Sequence, residues 1–236
     1  MNNNLTLIAM VLDRSGSMST VRDETISGVN TFLKEQREIP GDCMLHMVQF
    51  DDKYEVVHNF KNLKEVKDLN QETYIPRGWT ALHDAIGRTI DDVGRKLAET
   101  PEEFRPSKVV FVVQTDGHEN ASHDYAASKI KSMIEHQTQK YSWQFVFMGA
   151  NQDAVLSGSY LGFAPSLSLT YTHNAAGTSS SYGSASVNIG SYRIGASNSV
   201  KAFSDDQRNA AVGGNTTATA TPATPVVVTT TTGSKS

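Results

Sequence analysis

The stretch Leu5-Thr-Leu-Ile-Ala-Met-Val-Leu12, followed at once by Asp13-Arg-Ser-Gly-Ser17, decides the fold class. An unbroken apolar run of this length, bounded by polar residues, is typical of a strand that is buried on both faces. Three later runs rich in Val, Ile and Phe have the same character, and the sequence therefore predicts four buried strands, the further three being Met44–Phe50, Val109–Gln114 and Trp143–Met148.

The segments between these runs carry apolar residues three and four positions apart, which predicts amphipathic helices on either side of the sheet. Tyr54–Phe60 follows the second run after a short turn that contains Asp51 and Asp52, so these two strands are predicted to pair as a hairpin. Because the other strands alternate with helices, the predicted fold class is α/β. Its central sheet is doubly wound and mostly parallel, with one antiparallel edge strand and helices on both faces.

The composition changes towards the C-terminus. Leu167–Tyr171 is compatible with a last edge strand. The segment that follows it is compatible with a glycine-rich and weakly stable helix that has Tyr182 and Ile189 on one face. Residues 209–234 carry no charge and are dominated by Thr, Ala and Gly, which is typical of low-complexity chain. We therefore predict one domain over residues 1–200 and a flexible tail over residues 201–236.

Composition and charge exclude several classes of protein. The chain has 236 residues, 38% hydrophobic and 19% charged, as expected of a soluble globular protein. The chain has 21 Lys and Arg against 25 Asp and Glu, and its basic residues form no cluster along the sequence. Because a basic cluster is needed to bind a phosphate backbone, nucleic acid is not expected as a partner. The Leu5–Leu12 run is too short to span a bilayer and has no basic segment before it, so we expect a cytoplasmic protein that makes no membrane contact.

Oxygen-bearing side chains follow two strands that are predicted to be neighbours. Asp13, Ser15 and Ser17 follow the first strand, and Asp116 follows Val109–Gln114. Thr80 lies at the start of a predicted helix. In a doubly wound sheet, ligands bind where adjacent strands send their connections to opposite faces, and we expect these five side chains to meet there.

Two carboxylates and three hydroxyls, with no His or Cys among them, form a set of hard oxygen donors. Such a set favours Mg²⁺, with Mn²⁺ or Ca²⁺ as possible substitutes. Because the hydroxyl ligands are neutral, the ion keeps much of its charge and can accept an anionic oxygen from outside. We therefore expect a protein partner that presents an Asp or Glu as the last ligand; the sequence does not indicate the oligomeric state.

The motif Asp13-x-Ser15-x-Ser17, the Gly78-Trp79-Thr80 loop and Thr115-Asp116-Gly117 resemble the metal-ion-dependent adhesion site (MIDAS) of von Willebrand factor type A (vWA) domains. The resemblance is to the intracellular bacterial or phage type. It implies a Rossmann-like fold and a metal-dependent protein-binding module. It also implies that Ser15, Ser17 and Thr80 bind the ion directly, while Asp13 and Asp116 hold it through water.

Other functions compete with this interpretation. The chain could be a structural or virion-associated assembly component that uses its C-terminal tail. A metal-dependent phosphohydrolase with Asp13 as nucleophile is disfavoured, because the second acid expected two residues later is Ser15. A zinc hydrolase built from His83, His118 and His123 is also disfavoured, because their spacing matches no common zinc motif. We predict that the protein is not an enzyme.

Several residues near the predicted ligands have simpler interpretations. Asp51 and Asp52 are expected to form a solvated turn and not a second cation site. Trp79 is expected to lie packed beneath its loop. Arg14 and Met18 are expected to face the partner.

Overall fold

The computed structural model describes residues 1–150 and 153–213. Its six strands are β1 (Asn2–Asp13), β2 (Asp42–Phe50), β3 (Tyr54–Asn62), β4 (Pro106–Thr115), β5 (Gln144–Ala150) and β6 (Ser168–Tyr171). Its helices are α1 (Arg22–Glu38), α2 (Leu82–Glu99), α3 (Ala127–Tyr141), α4 (Ala154–Tyr160), α5 (Ala175–Arg193) and α6 (Asp205–Ala211).

The strands form one sheet in the order β3-β2-β1-β4-β5-β6. Only the β2–β3 pair is antiparallel, and the other four pairs are parallel. The predicted fold class, a doubly wound and mostly parallel sheet with one antiparallel edge strand, is therefore confirmed. The chain leaves β1 through α1 and leaves β4 through α3, and these two helices lie on opposite faces of the sheet. The crevice thus lies above the carboxyl ends of β1 and β4, as the sequence predicted.

Each face of the sheet has its own apolar core. One core joins the sheet to α1 and α5 and includes Phe32 and Tyr182. The other joins the sheet to α2 and α3 and includes Ile86 and Ile134. Alternate residues of β1 enter the two cores, which is why the Leu5–Leu12 run is apolar throughout.

Helix α5 forms although its sequence is rich in Gly and Ser. The glycine at position 28 lets α1 and α5 approach closely: a Cβ there would lie 2.4 Å from a ring carbon of Tyr182. The helix also starts with a side-chain cap, since Asn174 Oδ1 accepts the Gly177 N–H. Packing against α1, rather than helix propensity, therefore stabilises this segment.

Helix α6 lies within the segment that the sequence assigned to the tail. Ser204 caps its start with a reciprocal capping box, and Phe203 and Ala211 are buried against the core. Most of the predicted tail lies outside the described residues, and the division at residue 200 stays a prediction. In the described ranges, no helix has the length and apolar character needed to cross a membrane.

Candidate metal centre

The predicted ligands come together above the carboxyl ends of β1 and β4. Asp13 is the last residue of β1, and Asp116 directly follows β4. Ser15 Oγ lies 3.2 Å from Ser17 Oγ, and Ser17 Oγ donates to Asp116 Oδ1 over 2.7 Å. Thr80, in the loop before α2, also lies close to Asp116. A Cβ built on Gly117, the residue after Asp116, would lie 3.0 Å from Thr80 Oγ1. Three separated stretches of chain thus place five oxygen-bearing side chains around one crevice.

Asp13 is fully buried and accepts hydrogen bonds at both carboxylate oxygens. The Ser15 N–H donates to Oδ1 over 2.7 Å, and Thr115 Oγ1 donates to Oδ2 over 2.5 Å. Burial raises the pKa of Asp13 to about 6, and the nearby charge of Asp116 acts in the same direction. The two hydrogen bonds oppose that rise in the pKa without cancelling it.

Both carboxylate oxygens of Asp116 have a protein neighbour. Its Oδ1 accepts from Ser17, and its Oδ2 lies 3.3 Å from His173 Nε2. Burial raises the pKa of Asp116, and the Ser17 hydrogen bond and the His173 imidazole oppose the rise. The sequence did not single out His173, because its approach depends on where β6 ends.

Asp51 departs from its predicted role. It is fully buried, whereas Asp52, beside it in the turn, is exposed. Asp51 Oδ2 pairs with Arg14 Nε at 3.1 Å and with Arg77 Nε at 2.8 Å. The prediction of a solvated turn is therefore wrong for Asp51, because two arginines from other loops cover its carboxylate.

Arg14 and Met18 also differ from expectation, because both are buried and do not face a partner. Arg14 Nη1 contacts Glu55 Oε2 at 2.6 Å in addition to the Asp51 pair. The Arg14 guanidinium therefore serves to join the first loop of the site to the β2–β3 hairpin.

Backbone hydrogen bonds fix the Thr80 loop against its neighbours. The Arg77 N–H donates to Arg14 O over 2.8 Å, and the Gly16 N–H donates to Gly78 O over 3.2 Å. Gly78 has a φ of +67°, a conformation that favours glycine. Asn120 Oδ1 accepts the Thr80 N–H over 2.8 Å, which joins this loop to the one that follows β4. The loop is thus tied on both sides of Thr80.

Trp79 is exposed, with 70% of its surface accessible. The expectation that it packs beneath the loop is therefore wrong. Ile75, in the same loop, is 48% exposed. The rim of the site therefore presents apolar surface beside the predicted ligand Thr80.

The donor set fits a hard divalent cation. The five residues supply carboxylate and hydroxyl oxygens, the ligands that Mg²⁺ prefers. The described residues contain no group of three or more His, Cys, Asp or Glu placed to hold a metal ion, which contradicts the three-histidine zinc site. Assignment of Asp13, Ser15, Ser17, Thr80 and Asp116 as ligands remains a prediction, now supported by their convergence.

Several solved structures are similar to this chain at low sequence identity. A solved structure of proximal thread matrix protein 1 from the mussel byssus has 15% identity and a TM-score of 0.52, over 78% of this chain and 46% of that chain. A second structure of the same mussel protein, with a zinc-occupied MIDAS motif, has 16% identity and a TM-score of 0.48, over 73% of this chain and 42% of that chain. The ArnB paralog VWA2 from Sulfolobus acidocaldarius has 15% identity and a TM-score of 0.48, over 79% of this chain and 45% of that chain.

In each of these comparisons, the matched region is less than half of the solved chain. No curated protein matches the sequence. The family model for the von Willebrand factor type A domain matches residues 8–154, which is more than half of the 236 residues. The chain therefore belongs to the von Willebrand factor type A domain family.

Proposed function

We propose that this protein is a divalent-metal-dependent protein-binding module. The observation that carries the proposal is the convergence of two aspartates and three hydroxyl side chains at the sheet's switch point. The proposed ion is Mg²⁺, held by Asp13, Ser15, Ser17, Thr80 and Asp116. Because three of these ligands are neutral, the bound ion would supply a positive centre for an acidic side chain of the partner.

The surroundings of the site suit recognition of another protein. Trp79 is exposed beside Thr80, and exposed aromatic residues in rigid loops are frequent anchors of protein interfaces. The loop that carries Trp79 is held by backbone hydrogen bonds to the first loop, so presenting this side chain costs little ordering entropy. We infer that a partner contacts the ion through Asp or Glu and contacts the rim at Trp79.

The burial of Asp13 disfavours an enzyme that uses it as nucleophile. Its side chain is inaccessible, and both carboxylate oxygens already accept hydrogen bonds from the protein. Nucleophilic attack would require Asp13 to leave these hydrogen bonds, whereas holding an ion through water would not. These contacts support a binding role in preference to a covalent phosphohydrolase.

Selection from a random peptide library displayed on phage tests this function even though the partner is unidentified. The full chain is immobilised, phage are bound in Mg²⁺, and bound phage are eluted with EDTA. We expect the eluted peptides to share an Asp or Glu at one position, because that side chain would complete the metal's coordination.

Two carboxylate variants from the same loop complete the experiment, one at the proposed site and one matched control away from it. Asp116→Ala should abolish recovery of the acidic peptides, whereas Asp124→Ala, which removes an exposed carboxylate, should leave recovery unchanged. Peptides without a shared acidic residue, or phage that stay bound in EDTA, would contradict ion-bridged recognition.

A further inference from the structure

A fourth loop reaches the metal centre from the C-terminal part of the chain. His173 lies between β6 and α5, beyond residue 154, where the family match ends. Its Nε2 lies 3.3 Å from Asp116 Oδ2, and only 12% of its side chain is exposed. The three loops named by the family motif are therefore not the only ones that contact a predicted ligand.

The backbone around His173 is fixed on both sides. The Thr172 N–H donates to Ala211 O at the end of α6 over 2.9 Å. Asn174, the next residue, caps α5 through the Gly177 N–H. Close packing at the start of α5 adds to this restraint, since a Cβ at position 177 would lie 2.2 Å from Thr172 O. The imidazole is thus carried by a segment with little freedom to move away from Asp116.

Asp116 depends on such contacts for its orientation. It lies just beyond the end of β4, next to a glycine, so the strand itself does not fix its side chain. Ser17 Oγ occupies one carboxylate oxygen and the His173 imidazole lies against the other. A carboxylate hydrogen-bonded at one oxygen and packed against an imidazole at the other has little freedom to rotate relative to Ser15 and Ser17. Outer-shell neighbours of metal ligands govern metal affinity at other metal sites.

We propose that His173 is a positioning residue for the metal centre, holding the Asp116 carboxylate in the orientation that binds the ion. This inference rests on the proposed function, because it assigns a role at the same site. It makes β6, α5 and α6 part of the binding apparatus, since they place the imidazole. Loss of the imidazole should leave Asp116 restrained by Ser17 alone, and metal affinity should fall with the fold intact.

Calorimetric titration of the full chain with Mg²⁺ and with Zn²⁺ tests this role. We expect His173→Ala to raise both dissociation constants roughly 10- to 100-fold, the usual cost of losing an outer-shell partner. His173→Gln, which keeps a polar side chain of similar length, should recover part of the affinity. His123→Ala, which removes an exposed histidine from the loop after β4, is the matched control and should change neither constant.

The outcomes separate this inference from the function on which it rests. A wild-type chain that binds neither metal would overturn the proposed metal site itself. Wild-type binding that His173→Ala leaves unchanged would overturn only the positioning role. A loss confined to Zn²⁺ would also overturn it, because an imidazole that ligates directly should matter most for the metal that prefers nitrogen. A lower melting temperature with unchanged affinities would assign His173 to the fold alone.

Discussion

Asp13 and Asp51 stand at the carboxyl ends of neighbouring strands, and both are fully buried, yet they are neutralised differently. Asp51 is neutralised within the protein, because Arg14 and Arg77 both form ion pairs with its Oδ2. In the described part of the chain, no Lys or Arg pairs with Asp13. Its carboxylate instead accepts from a hydroxyl and a backbone N–H, and its pKa is raised to about 6.

The difference distinguishes a structural carboxylate from one suited to an exchangeable ion. A buried charge needs a partner of opposite sign, and Asp51 finds that partner within the protein. Asp13 has hydrogen bonds that orient it but no cation that neutralises it, and a bound divalent metal would supply the missing charge. The difference between these two buried carboxylates therefore supports the proposed metal site at Asp13.

The largest expected effect comes from Asp51→Ala. The substitution leaves the Arg14 guanidinium buried without its main carboxylate partner, and breaking a buried pair in this way costs about 3 to 5 kcal/mol. Urea unfolding in EDTA measures the free energy. Asp52→Ala, an exposed position in the same turn, is the control and should change stability by less than about 0.5 kcal/mol. Similar losses for the two variants would show that Asp51 does not anchor the loops.

The role of Asp51 could not be predicted from the sequence, because it depends on residues that are far apart. Arg14 and Arg77 are separated from it by 37 and 26 positions, and only the folded loops bring them together. A pair of aspartates in a short turn is normally solvated, and Asp52 follows that rule. The exposure of Trp79 was also not predicted, because it depends on how its loop folds against its neighbours.

The fold and the convergence of the predicted ligands could be predicted from local patterns in the sequence. Each of the three loops lies at the end of an apolar run or the start of an amphipathic helix, so topology alone brings them to one crevice. The contact of His173 with Asp116 was not accessible, because it requires the end of β6 and the start of α5 in three dimensions. Helix α5 was difficult to predict because packing at Gly28, and not an amphipathic pattern, stabilises it.

The second prediction concerns the carboxylate that lacks a cation. Without metal, ionised Asp13 destabilises the fold, because its pKa is about 6 in the native state against 3.8 for the ordinary side chain. Stability from the protonated form is complete below about pH 4 and is lost as the pH rises through about 6. In EDTA at pH 7, Asp13→Asn should therefore be more stable than the wild type by up to about 3 kcal/mol, less the cost of the one hydrogen bond that the amide nitrogen cannot accept.

Urea unfolding at several pH values measures this gain. The advantage of Asp13→Asn should shrink towards zero below about pH 3, where wild-type Asp13 is protonated in both the folded and the unfolded state. Saturating Mg²⁺ should stabilise the wild type by about 2.7 kcal/mol at 100 times its dissociation constant and leave the variant unchanged. Equal stability of the two proteins in EDTA at pH 7 would mean that Asp13 is already neutralised within the fold.

The smallest effect is expected at the exposed end of the Asp51 network. Glu55 contacts Arg14 Nη1 at 2.6 Å, closer than either arginine lies to Asp51, but its side chain is 57% exposed. Because water solvates the exposed Glu55 carboxylate nearly as well as the buried Arg14 guanidinium does, this contact gains little free energy. Glu55→Gln should therefore cost less than about 1 kcal/mol by urea unfolding, and added salt should reduce even that difference. If its cost instead approached that of Asp51→Ala, the short contact and not the burial would determine the strength of the network. The contrast between a carboxylate neutralised internally and one left for a metal would then no longer follow from burial.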